Sequence, residues 1–200
     1  MEQNLIPGLT VLSYSDIKNK YDQLNLIGNL NIFLPGGRTI HNFLENEDFR
    51  ELCNSSNLFL TDERIASIDE VSSNWRSFNQ RGMKVQQLVD RRGDDLLVKN
   101  FDKYYKAISD LKSFNLSIVS FGFDGHYAGH VVGSTISESI LCFYETSLGL
   151  MRIGLGDAAW TRMDLIVLVF DTYEKMNALK LDPLKSFIQR YIDKIELLHI

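Results

Sequence analysis

Short apolar runs alternate along this chain with longer stretches whose apolar residues recur every three or four positions. Seven runs read as strands: 30–36 (LNIFLPG), 57–62 (NLFLTD), 116–122 (LSIVSFG), 140–146 (ILCFYET), 150–155 (LMRIGL), 165–170 (LIVLVF) and 195–200 (IELLHI). Helical periodicity covers 39–52, 85–90, 97–113, 157–163, 172–180 and 183–194. Strands apolar on both faces, separated by amphipathic helices, predict an α/β fold with a largely parallel sheet. The charged stretch 90–95, DRRGDD, reads as a loop and lacks the alternating acids and closing Glu of a calcium loop. No repeat, low-complexity tract or linker divides residues 1–200, so one domain is expected.

Composition narrows the classes. A hydrophobic fraction of 44% and a charged fraction of 24% are those of an ordinary globular protein. The net charge of -5 argues against a nucleic-acid partner, which asks for a basic face. Cys53 and Cys142 write neither a disulfide framework nor a zinc knuckle. The start, MEQNLIPGLTVLSYSD, lacks a basic leader with a long apolar core, and no apolar run reaches the roughly 18 residues of a membrane span. The expectation is a cytoplasmic protein without a membrane partner.

Polar residues that core packing would not request stand at the strand ends. In 120–130, SFGFDGHYAGH, an apolar run meets Asp124, Gly125 and His126. This is either a tight Asp-Gly turn carrying a bystander histidine or a site at a strand's carboxyl end, where open α/β sheets bind ligands. In LPGGRTI, Gly36 and Gly37 precede Arg38 and Thr39 at a helix start. That is a Gly-Gly turn or a cradle of amides for an anion. Asp62, Glu63 and Arg64 follow a strand at once, and Ser73 and Asn74 read as a helix cap. Arg152 in a strand and Lys175 after the most apolar run would be an edge residue and an exposed lysine, or the forked and point-charge donors of a phosphate site. The GLGDAA stretch, 154–159, matches a relaxed dinucleotide fingerprint with Glu174 as its acid, but only a short helix follows it. His41, His130 and His199 have no evident partners in the sequence.

In order, these junctions resemble the 6-phosphogluconolactonase family, within the group that includes glucosamine-6-phosphate deaminases. LPGGRT resembles its S-G-G-S-T loop, TDER with SSNWR its D-E-R…S-N-Y-R segment, and FGFDGHYAGH its G-M-G-x-D-G-H-T-A-S stretch. Residues 152–179 align with its R-I-T-L-T…V-x-G-x-x-K-A-x-A-L block, which turns GLGDAA into a strand end and a short helix. The resemblance implies a Rossmann-like three-layer α/β/α fold of the sugar-phosphate isomerase/deaminase type. The chain departs at Arg38 (serine in the family), Ile40 (proline), Ile65–Ala66 (Val-Pro), Tyr127 (threonine) and Gly129 (serine). Against the deaminase branch, Arg64 replaces its tyrosine and Val131 stands where its glutamate is expected.

The resemblance implies hydrolysis of 6-phosphogluconolactone in the oxidative pentose phosphate pathway. His126 would be base and then acid, Asp124 would hold the loop or the imidazole, and Gly125 would allow the sharp turn. Gly36, Gly37 and Thr39 would take the phosphate, with charge from Arg152 and Lys175 and with Arg38 either adding to the cradle or blocking it. Asp62 and Arg64 would border the sugar. The substrate would be a phosphorylated sugar lactone, without metal or organic cofactor, bound by a monomer or small homo-oligomer. Two alternatives remain open: an aldose–ketose isomerase or deaminase with Asp62 as carbon base, and a drifted sugar-phosphate-binding protein without turnover.

Overall fold

The computed structural model describes residues 6–13, 16, 19–20, 22–23, 29–65, 72–88, 94–131, 133, 137–145 and 151–200, with backbone alone at Arg38 and 94–99. Among the described residues nine strands form two sheets. In the first, β1 (Val11–Leu12), β9 (Ile195–His199), β8 (Met163–Phe170), β5 (Phe114–Ser120), β2 (Asn31–Leu34) and β3 (Asn57–Leu60) lie side by side in that order, all parallel. This is the α/β architecture that the apolar runs predict. Every residue of β2 is buried, as is nearly every residue of β5, so neither strand has a solvent face. Across the middle, Phe33 stacks between Phe59 and Phe114 at centroid distances of 5.1 and 5.0 Å. Each such buried apolar side chain contributes about 1.5–3 kcal/mol.

The second sheet corrects the expectation that the runs at 140–146 and 150–155 belong to the parallel sheet. β4 (Asp62–Arg64), β7 (Met151–Leu155) and β6 (Leu141–Glu145) form a separate antiparallel sheet. Thr61 is the crossing point. Its N–H donates to Leu34 of the first sheet at 2.9 Å, and its carbonyl accepts from Leu155 of the second at 2.9 Å. The run 57–62 is therefore two strands with a break at Thr61. The buried Tyr104 hydroxyl holds the break, accepting from Leu60 N at 2.9 Å and donating to Leu60 O at 2.7 Å.

Helical expectations fare unevenly. Residues 39–52 make two helices, α1 (Arg38–Phe43) and α2 (Glu47–Asn54), because the Asn46 side chain accepts from Phe49 N at 3.1 Å and starts a new helix. α3 (Asn74–Asn79) is capped by Ser73 rather than by Asn74. α4 (Asp94–Ser109) begins inside the expected charged loop, whose residues 90–93 lie outside the described ones. The stretch 85–88 is not helical. Val85 bridges Leu58 in parallel and Gln86 N donates to Leu58 O at 2.8 Å, so an open strand edge captures a segment whose apolar spacing mimics a helix. α5 (Asp157–Arg162) is the short helix after β7, Tyr173–Lys180 is 3₁₀ rather than α, and α6 (Leu184–Arg190) is followed by a 3₁₀ turn at Ile192–Lys194. Among the described residues no helix is long and apolar enough to cross a membrane.

Candidate functional site

The strand order reverses direction once at the centre. From β2 the chain steps outward to β3, then returns to place β5 on the other side of β2 and continues to β8 and β9. The loops after β2 and β5 therefore diverge, and a crevice opens at the strands' carboxyl ends. A cleft of about 740 Å³ lies there, walled by Gly36 and Gly37 after β2, by Asp62 after β3, by Gly122 and His126 after β5, and by Lys175 after β8. Arg64 and Arg152 close it from the antiparallel sheet, where they face each other in register.

The loop after β2 holds Gly37 at φ 102, a conformation that favours glycine. Gly36 is required for a different reason. A Cβ there would lie 1.8 Å from Asn74 Oδ1, whose amide covers the loop. Asn74 is thus more than a neighbour of a cap: its Nδ2 donates to Asp62 O at 2.9 Å and ties α3 to β4. Glu63 completes this joint. Its buried carboxylate accepts from the N–H groups of Arg64, Asn74 and Trp75, each at 2.8 Å, and from Ser73 Oγ at 3.2 Å. Burial pushes the Glu63 carboxyl up to about 7, against the pull of those amides.

Asp62 is 4% exposed, and Arg152 donates to its Oδ2 at 3.3 Å. Burial raises its carboxyl, opposed by Arg152, Arg64, the Thr61 hydroxyl and His126. Arg64 donates to the Ser72 carbonyl and, at 3.4 Å, to Asn74 Oδ1. Residues 62–64 are inward rather than solvated because they continue as β4 and pair with β7, leaving Asp62 and Glu63 buried.

Below β8, Lys175 is 8% exposed rather than free in solvent. It donates to Thr39 Oγ1 at 3.0 Å and pairs with Asp171 Oδ1 at 2.8 Å, while Thr39 Oγ1 donates to Asp171 Oδ2 at 3.1 Å. Asp171 is a cleft residue that sequence reasoning missed. The available signal was its position four residues before Lys175.

After β5 the chain makes a tight turn: Gly125 N donates to Gly122 O at 3.1 Å and Gly122 N to His126 O at 2.9 Å, with Gly125 at φ 80. A Cβ on Gly125 would also come within 2.9 Å of Leu181 O. The turn sets the His126 imidazole beside Asp124, Nδ1 to Oδ1 at 2.5 Å. Burial raises the Asp124 carboxyl, but the hydrogen bond and charge of His126 outweigh it and hold it low. An ionised carboxylate only accepts, so Nδ1–H is the donor of this pair and Nε2 is the ring's other nitrogen. Gly122, also missed in the sequence, is what makes room, since a Cβ there would lie 2.1 Å from His126 Cε1. The structure thus gathers Gly36, Gly37, Thr39, Asp62, Arg64, His126, Arg152 and Lys175 around one cleft, with Asp124 and Gly125 supporting it from the turn. The Arg38 side chain lies outside the described residues. Tyr127 does not enter the cleft: it is buried, with its ring 4.3 Å from that of Phe187.

Among the described residues no three His, Cys, Asp or Glu side chains gather as a metal cage. No protein-family model matches the chain, and no curated protein matches its sequence significantly. Solved structures do match its fold. The 6-phosphogluconolactonase of Thermotoga maritima is 20% identical with a TM-score of 0.70, covering 96% of this chain and 98% of that one. That of Trypanosoma brucei is 16% identical with a TM-score of 0.74 and 96% coverage of both chains. That of Shewanella baltica is 15% identical with a TM-score of 0.73, covering 98% and 99%. The chain has the fold of these proteins.

Proposed function

We propose that the chain is one sugar-phosphate-binding domain, monomeric or a small homo-oligomer in the cytoplasm, that hydrolyses 6-phosphogluconolactone to 6-phosphogluconate in the oxidative pentose phosphate pathway. The observation that carries this reading is the Asp124–His126 pair at the switch-point cleft, which Arg64, Arg152 and Lys175 also line. Lactone hydrolysis needs a water made nucleophilic, an oxyanion stabilised and a leaving ring oxygen protonated. His126 Nε2 takes a proton as the water oxygen bonds to the lactone carbonyl carbon. The negative carbonyl oxygen then meets the positive charge of Arg64. When the ring C–O bond breaks, the same Nε2–H returns its proton to the departing oxygen, so the base is regenerated. Asp124 positions the imidazole. The phosphate lies against the backbone amides of Gly36, Gly37 and Thr39, with charge from Lys175 and Arg152 and with Arg38 at the loop. Asp62 borders the sugar. No metal or organic cofactor enters these steps.

The isomerase reading rests on Asp62, a buried carboxyl whose ionisation burial disfavours. Its carboxylate already accepts from Arg152, so a substrate proton must compete with that ion pair. The test is the decay of 6-phosphogluconolactone, generated in situ, with purified protein and with His126→Ala. The expected outcome is acceleration above the spontaneous rate that falls by about 10²–10⁴ in the variant. No acceleration by folded wild-type protein overturns the lactonase. Turnover of an aldose phosphate that survives His126→Ala and not Asp62→Asn moves the assignment to the isomerase.

A further inference from the structure

The corner of the cleft below β8 already contains an anion. Asp171, Lys175 and Thr39 close a triangle of 2.8, 3.0 and 3.1 Å, and all three line the cleft. The proton inventory matters here. Thr39 has one hydroxyl proton, and Asp171 holds it, so none remains for a phosphate oxygen. Lys175 has three, of which one reaches Thr39, and its ammonium forms an ion pair with Asp171 Oδ1 at 2.8 Å. The Phe123 ring, 5.8 Å from Nζ, flanks the ammonium.

We propose that Asp171 determines specificity: as a built-in carboxylate it engages Lys175, a cation that the reading above gives to the substrate's phosphate, and so sets how strongly the cleft prefers a phosphorylated sugar acid or lactone over an unphosphorylated one. The inference rests on that reading's placement of the phosphate. A phosphate entering this corner must share Lys175 with a fixed negative charge or turn Asp171 out, and like charges a few ångströms apart in a half-buried site repel strongly. A sugar hydroxyl at the same place meets no such opposition. It accepts a Lys175 proton and donates to the carboxylate. Asp171 is ionised in this arrangement: burial raises its carboxyl, but the hydrogen bond and charge of Lys175, with the Thr39 hydroxyl, hold it below the usual range.

Calorimetric titration of 6-phosphogluconate and of gluconate into wild type, Asp171→Asn and Asp171→Asn/Lys175→Met tests this. Removing the charge while keeping the shape is expected to tighten 6-phosphogluconate about tenfold or more and gluconate less than about twofold. The gain is expected to vanish in the double variant. Asp171→Ser, which also lacks the charge, gives the same reading if the asparagine variant does not fold. Unchanged or weaker 6-phosphogluconate binding by a folded single variant overturns the proposal, as does a gain that persists without Lys175. Lactone decay measured in parallel separates the two claims. Tighter 6-phosphogluconate binding with no lactone turnover in any protein sinks the lactonase and leaves the role of Asp171 standing.

Discussion

Two histidines four residues apart occupy opposite environments. The His126 side chain is 44% exposed at the cleft and paired with Asp124. His130 is 0% exposed, its ring stacked on Tyr127 at 4.8 Å, with Nε2 3.1 Å from Leu155 O and also in contact with the Tyr144 hydroxyl. A two-residue reversal separates them. Tyr127 N donates to His130 O at 3.0 Å, His130 N donates to Tyr127 O at 2.7 Å, and Ala128 and Gly129 between them take φ 43 and φ 86. Positive φ at both central residues is the geometry of a hairpin turn that sends the chain back beside itself. One histidine is left at the mouth and the other behind the wall. Burial pushes the His130 pKa down to about 4, so it serves as a neutral packing group. The comparison teaches that residue type and spacing nominate a histidine for chemistry, while the turn between two candidates decides which one meets solvent.

The sharpest way to break this contrast is titration of stability. His130 has a folded pKa near 4 against an ordinary 6.5, so the unfolded chain binds more protons between those values. Folding stability should therefore be fully present above pH 6.5 and fall as the pH drops toward 4, by up to about 3 kcal/mol. In His130→Phe, which keeps a ring in the stack, that part of the slope should vanish, although the variant is less stable at neutral pH. Chemical denaturation across the range measures it, and an unchanged slope would mean that His130 does not carry the acid sensitivity.

The next effect falls on the other histidine. Gly122→Ala places a methyl group where the His126 ring lies and should displace the imidazole. Lactone turnover is expected to fall about a hundredfold, the usual result of misplacing a catalytic group by an ångström. The melting temperature should change little, because His126 and Asp124 both reach solvent. A Gly122→Ala protein of wild-type activity would remove the imidazole from the mechanism. The smallest effect is Asp124→Asn. The Asp124 side chain is 65% exposed, and exposed pairs are weak, so the loss in kcat should stay below about tenfold. A larger loss would show that Asp124 does more than orient the ring.

Much of the fold was legible because β2, β5 and β8 are buried on both faces, and burial on both faces writes itself as an uninterrupted apolar run. β6 and β7 wrote runs of the same kind, yet they pair antiparallel in a sheet of their own, since an apolar run does not name its neighbour. Residues 85–88 misled for the converse reason: Val85 and Leu88 are buried, as a helix face would be, but by an extended segment lying along β3. The site was legible where the turn chemistry is local. Gly125 and Asp124 announce a turn at His126, and Gly37 a turn after β2. Asp171 was not legible as a cleft residue, because its hydrogen bond to Thr39 spans 132 positions.

By itself, then, the sequence determined the α/β alternation, the strand ends on which polar residues gather, and the turns that glycine makes possible, because these depend on burial pattern and on dihedral preferences within a few residues. Only the tertiary structure decided that the order reversal between β2 and β5 opens a cleft, that Lys175 arrives there already paired with Asp171, and that His130 turns inward while His126 does not. Charge pairing and depth of burial are set by which distant segments pack together, and no short stretch of sequence contains that information.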